Sequence, residues 1–154
     1  MPKFNYATGR ILESLQFISN EMKEFKNDYS DKTLVDYKND IKLQKLMDRT
    51  VENILTALIE VCGTLNTENG IAFSSYQEAI KECAKFLEFT DEQQNKLGRL
   101  ANLRNRLAHR YLNFRWQVIR TFRTEMNLVT QLIETLFKRE ETKAVKKYEE
   151  DSPS

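Results

Sequence analysis

Apolar residues recur along this chain at helical spacing and almost nowhere at the alternating spacing of strands. Ile11, Leu15, Ile18, Met22 and Phe25 fall at intervals of four and three, so they form one stripe of a first helix that ends near Asn27 or Asp28. After a polar turn over 29–32, a longer helix carries Met47, Val51, Ile54, Leu58, Val61 or Cys62, and Leu65. The glycines and asparagines over 63–70 predict its close, because both tolerate the left-handed cap. Tyr76, Ile80, Cys83 and Leu87 mark a short third helix, with Ser74 or Ser75 placed to cap it. Thr90 opens a fourth, where Gln93 completes a capping box and Asp91 and Glu92 suit the positive helix end. Beyond a break near Leu112 and Asn113, a last long helix is spelled by Ile119, Phe122, Met126, Val129, Ile133 and Leu136. From Lys138 the pattern gives way to charge.

Composition agrees with that reading. The only prolines are Pro2 and Pro153, and there are four glycines in 154 residues, so nothing breaks long helices between the ends. With 40% hydrophobic residues the chain can bury one ordinary core. The expectation is an all-α protein, an antiparallel bundle of four to five helices over 1–140, followed by a charged, disordered tail over 141–154. Cys62 and Cys83 lie within apolar helical pattern with no CxxC and no second histidine, and are expected as reduced core residues rather than metal ligands. No apolar signal core follows Met1 and no run approaches a membrane span, so a soluble cytoplasmic protein is expected.

Charge changes the picture. The formal net charge is only +1, which argues against generic coating with nucleic acid. Yet between Asp91 and Arg123 seven arginines and Lys96 face only Asp91 and Glu92. Arg115, Arg120 and Arg123 read as a solvated helix face. The rest crowd around Arg104-Asn105-Arg106-Leu107-Ala108-His109-Arg110-Tyr111, which holds the only histidine of the chain.

On a helical wheel Leu97, Leu100, Ala101, Leu107, Ala108 and Tyr111 share a core-facing stripe, and Arg104 falls in its middle. A buried guanidinium costs several kcal/mol unless it is paired, so Arg104 either meets a buried carboxylate or opens into a cleft that receives an anion. Asn105 and His109, four apart, share a neighbouring face, with Asn102 close by. Arg104 and His109 stand about 140° apart on a straight helix. Either the helix loosens or ends before His109, or the site draws on two copies of the chain. Metal-free RNA cleavage calls for one group to take the 2′-hydroxyl proton and another to protonate the leaving 5′-oxygen, and histidine suits both. One chain has one histidine; a twofold dimer has two. Arg104, helped by Arg106 or Arg110, could then hold the charge on the pentacoordinate phosphate.

Arg104, four residues, His109, one residue and Tyr111 match the Arg-x4-His-x-Tyr signature, and the chain resembles HepT-like toxins of the HEPN ribonuclease superfamily. Asn105 is the polar residue common after that arginine, and bundle, length and late motif agree. Ala108, where a larger aliphatic is common, and the charged C-terminal extension depart from the pattern without removing a functional group. The resemblance implies a homodimeric, metal-independent endoribonuclease with no cofactor, with Arg104 and His109 catalytic in a cleft between subunits. It also implies a toxin neutralised by an MntA-like nucleotidyltransferase, which adds AMP units to the motif tyrosine, Tyr111. Two other readings stand beside it. One is a non-catalytic HEPN module binding RNA, nucleotide or the nucleotidyltransferase, with Arg104 in a structural ion pair and His109 merely hydrogen-bonded. The other is a plain helical dimerisation domain, which leaves the arginines unexplained.

Overall fold

The longest stripe becomes the central element. In this computed structural model, which describes Pro2 to Asp151 and, for side chains, 10–150 with residue 147 aside, α3 (Ile41–Glu68) buries residues along its length from Gln44 to Asn66. Around it pack α1 (Pro2–Glu24), α4 (Tyr76–Phe86), α5 (Asp91–Arg106) and α6 (Leu112–Thr124), while α7 (Met126–Asp151) closes the bundle against α1, α5 and α6. A short α2 (Leu34–Asn39) lies against α3 and α6. No strand occurs among the described residues. None of the described helices is long and apolar enough to cross a membrane.

The stripes do the packing expected of them. Ile11, Leu15, Ile18, Phe25, Met47, Val51, Ile54, Leu58, Leu65, Ile80, Leu97, Ile119, Phe122, Val129 and Leu136 are all core residues. The first helix ends one wide π turn later, over Phe25–Tyr29, which swings Phe25 against Phe122 at 5.1 Å between ring centres. Ser75 caps α4 by accepting from the Glu78 amide, and Thr90 and Gln93 form the capping box of α5. Cys62 and Cys83 are buried free thiols.

The departures have local causes. Seven α-helices occur among the described residues rather than four or five. One extra is α2, held by a Thr33–Asp36 capping box and by the fully buried Tyr37. The other comes from an interruption at Glu125, after which the apolar stripe resumes. Gly63 does not end α3: it lies within the helix, facing the ring of Phe73. Gly70, at φ 69°, takes the left-handed turn instead. The tail expected to be disordered is helical as far as Asp151, and Lys143 reaches Glu140 at 3.7 Å and Glu68 on α3 at 3.8 Å. Residues 152–154 of that expectation lie outside the described residues.

The pair α4 and α5, joined by the tight turn over 87–90, bears directly on the motif. Gly98 lets the two helices touch, since a Cβ there would meet Lys81 Cγ at 2.5 Å. Asn102 is drawn to α4 by donating to Gln77 Oε1 at 3.2 Å, so it stands with α4 rather than with Asn105 and His109.

Candidate ribonuclease motif

The helix carrying the motif ends inside it. After Arg106 the amides of Leu107, Ala108 and His109 donate to carbonyls three residues back, at 3.3, 3.4 and 3.2 Å, a tightening that unwinds α5. Leu107 drops into the core as a plug, and Ala108, His109, Arg110 and Tyr111 lie exposed in a turn that leads into α6. Of the two ways out of the wheel problem, the structure takes the first: the helix stops before His109. The break lies five residues earlier than Leu112 and Asn113, which belong to α6.

That break corrects the expected face of Tyr111. A straight helix puts Tyr111 in the core, whereas in the structure it occupies the N-cap position of α6 with 67% of its surface exposed. Its ring meets Phe114 edge-on at 5.7 Å. His109 meets the same Phe114, also at 5.7 Å. Phe114, which sequence reasoning did not single out, therefore joins the two motif rings. Ala108 is likewise exposed rather than core-facing.

Arg104 sits in the last turn of α5, half-buried. Its guanidinium lies over the Tyr76 ring, 5.7 Å from the centroid, and lines a groove of about 430 Å³ with Glu13, Glu52 and Glu60 of α1 and α3. Among the described residues no ion pair joins it to any of these carboxylates. Asn105, Arg106 and Arg110 are exposed. Arg106 lines a second concavity, of about 260 Å³, with Gln117, Arg120, Thr121 and Thr124. The structure thus gathers His109, Tyr111 and Phe114 on one turn, sets Arg106 beside Arg120, and points Arg104 toward α1 and α3.

Two arginines expected on a solvated face are structural instead. Arg115 pairs with Asp48 of α3 at 2.8 Å and also donates to Gln44 Oε1 at 3.4 Å. Tyr37 donates to the other Asp48 oxygen at 2.6 Å and packs on Trp116 at 5.2 Å. Burial pushes the Asp48 carboxyl above its ordinary range, offset in part by those two donors. Burial and the bond to Asp48 also push the Tyr37 hydroxyl up. Arg123 donates to the Tyr29 and Lys32 carbonyls at 3.1 and 2.9 Å and lies over Trp116 at 5.3 Å. Loss of solvent around it pulls its pKa down. Together these contacts clamp α6 to α2 and α3, so the motif turn is anchored on both sides, by α4 at its entry and by Asp48 at its exit. A buried partner such as Asp48, eleven residues beyond Tyr37 and 67 before Arg115, carries no local signal in the sequence.

Comparison with curated proteins finds no match. The family described as ribonuclease HepT-like, of the HEPN superfamily, matches residues 11–136, from the first buried stripe residue to the last core leucine of α7, with the whole motif inside. The chain therefore belongs to the ribonuclease HepT-like family.

Proposed function

We propose that the protein is a metal-independent endoribonuclease in which Arg104 and His109 act on the scissile phosphate. The observation that carries this reading is that, among the described residues, each side chain rests against a ring and neither is held by an ion pair or a hydrogen bond. Among the described residues Arg104 has no carboxylate partner, and the imidazole of His109 makes a ring contact with Phe114 but no hydrogen bond. A non-catalytic module, with Arg104 in an ion pair and His109 satisfied, predicts the opposite. A half-buried cation and an exposed imidazole whose polar atoms no described residue engages are suited to an incoming phosphodiester.

In the proposed reaction His109 takes the proton from the 2′-hydroxyl, whose oxygen attacks phosphorus while the P–O5′ bond breaks. The leaving 5′-oxygen takes a proton from the imidazolium of a second copy, and a 2′,3′-cyclic phosphate remains. Arg104 balances the added charge on the phosphoryl oxygens, with Asn105, Arg106 and Arg110 in support. Because α5 ends before His109, the composite site rests on the need for two imidazoles and not on helix geometry. A homodimer supplies them.

The same reading makes the protein the toxin of a toxin-antitoxin pair, silenced when a nucleotidyltransferase joins AMP to Tyr111. In that step the phenol oxygen attacks the α-phosphorus of ATP and pyrophosphate leaves. The 67% exposure of Tyr111 supports it as an acceptor, and each added phosphate brings negative charge beside the motif arginines.

The test is cleavage of RNA in EDTA. Cyclic phosphate ends are expected from the wild type, and none from His109→Ala or Arg104→Ala proteins that still form dimers. RNA binding without cleavage would sink the enzymatic reading in favour of the binding module.

A further inference from the structure

Two surfaces lead away from the motif, and they differ in sign. Beyond Arg104 itself the groove is lined by Glu13, Glu52 and Glu60, which disfavour a polyanion running further along it. The other surface is the outer face of α6. Trp116, Val118, Ile119 and Phe122 turn that helix inward, leaving Asn113, Phe114, Gln117, Arg120, Thr121 and Thr124 exposed on the opposite side. Two concavities lie along it and share Gln117. One, of about 470 Å³, is lined by Tyr111, Asn113, Phe114 and Gln117. The next holds Arg106 and Arg120. No carboxylate lines either one, and among the described residues neither arginine is in an ion pair.

We propose that the outer face of α6 is a track for single-stranded RNA, with a nucleobase held against Phe114 and Tyr111 and a neighbouring phosphate between Arg106 and Arg120. The order of chemistry along the helix favours RNA over a protein partner. Exposed aromatic rings with two amide side chains offer stacking and edge recognition, which only an unstacked base can use. A pair of unneutralised guanidinium groups one step further along is matched to the backbone. The amides of Asn113 and Gln117 can each donate and accept, so they can discriminate among bases. The proposal rests on the ribonuclease reading only for the direction of the strand, which starts at the phosphate met by His109 and Arg104 and leaves along α6 instead of running on past the groove carboxylates.

Binding can be measured apart from cleavage with a short, labelled single-stranded RNA whose riboses carry 2′-O-methyl groups and so cannot be cut. Fluorescence anisotropy on the full chain is expected to show roughly tenfold weaker binding for Phe114→Leu, with Phe114→Tyr close to wild type. Arg120→Gln should lower the slope of log affinity against log salt by about 0.7, the share of one single-strand phosphate contact. With a cleavable RNA, Gln117→Ala and Arg120→Gln should raise KM and leave kcat in place. Wild-type binding by all these variants overturns the track while wild-type cleavage leaves the ribonuclease reading standing. If the wild type binds but does not cut, and the variants bind less, the track holds and the enzymatic reading falls. Should Arg120→Gln instead dissociate the dimer, α6 is a contact between copies and the track is wrong. Thermal unfolding of each variant identifies any that fail to fold, and Gln117→Ala and Arg120→Gln, on exposed positions, keep the test alive if Phe114→Leu does.

Discussion

Arg104 and Arg115 lie eleven residues apart, on either side of one turn, and the fold uses them in opposite ways. Arg115 is paired: Asp48 and Gln44 receive the two terminal nitrogens of its guanidinium, and Tyr37 completes the shell around Asp48. Arg104 has an aromatic ring beneath it and open groove beside it, with no ion pair among the described residues. The difference teaches how a small bundle presents reactive cations. It spends internal carboxylates on the arginine that fixes the turn and leaves the proposed catalytic one unneutralised. Residue type is the same in the two cases, and the fold tells them apart by the partner each one meets.

The sharpest way to break that comparison is to remove one residue from each side. His109→Ala is expected to lower RNA cleavage by roughly 10²–10⁴-fold, the range of a lost general acid or base, and Arg104→Ala by about 10²–10³-fold, the range of a lost charge-stabilising donor, with stability unchanged within about 0.5 kcal/mol. Single-turnover cleavage and urea unfolding report the two quantities separately. On the other side, Asp48→Ala strands a mostly buried Arg115 and removes the acceptor of Tyr37. A loss of roughly 3 kcal/mol is expected, the low end for breaking a buried pair, because the two side chains keep 14% and 18% of their exposure. The urea midpoint should move accordingly. Asp48→Asn, which retains an acceptor for Tyr37 while removing only charge, should cost less. If Asp48→Ala abolishes cleavage without loss of stability, the clamp is part of the reacting machinery and the contrast is false.

Most of the bundle was legible in the sequence because burial there follows period. Stripes such as Ile11 to Phe25 and Ile119 to Leu136 reached the core as read, and the Thr90 cap formed. What periodicity could not see was where it stops. Projecting one straight helix from Leu97 to Tyr111 put Tyr111 in the core, and the error came from the unwinding after Arg106, which places Leu107 inward and 108–111 outward. A Thr-x-x-Asp box did mark α2, but six residues carry too little stripe to announce a helix. Long-range partners were invisible for a different reason. Asp48 and Arg115 become neighbours only when α3 and α6 pack, so charge counting mistook a tertiary clamp for a solvated face. Spacing drew attention to the motif residues, whereas Phe114, whose ring meets His109 and Tyr111, looked like any aromatic at a helix start.

A smaller effect should separate paired from unpaired charge elsewhere in the fold. Glu140 is fully buried, its carboxylate oxygens lack hydrogen bonds among the described residues, and Lys143 stands 3.7 Å away. Loss of solvent, aided by the nearby Glu68, raises its pKa above the ordinary 4.5 despite Lys143 and Arg139. The fold thus prefers the protonated acid. That preference contributes stability below the unfolded value and is lost as pH rises through the raised folded one. Glu140→Gln has no proton to lose, so it should exceed the wild type by on the order of 1 kcal/mol at neutral pH and match it in acid. Urea midpoints measured across the acidic to neutral range give the crossover, and a variant equally destabilised at every pH would mean that Lys143 fully compensates the charge.

Tyr111→Phe should change least in the fold and most in one reaction. The ring keeps its edge contact with Phe114, and the hydroxyl, on a residue 67% exposed, makes no hydrogen bond among the described residues. Stability is therefore expected to stay within about 0.5 kcal/mol, and RNA cleavage near the wild-type rate. Acceptance of AMP from ATP and a nucleotidyltransferase should vanish, because no nucleophilic oxygen remains at that position. Intact-mass measurement distinguishes this from modification elsewhere: AMP still added to the Phe variant moves the acceptor away from Tyr111. A fall in cleavage with the fold intact would give the hydroxyl a part in the reaction itself. In that event the turn would hold two reacting groups, His109 and Tyr111, and the side chains fixed by the fold would begin only with α6 at Leu112.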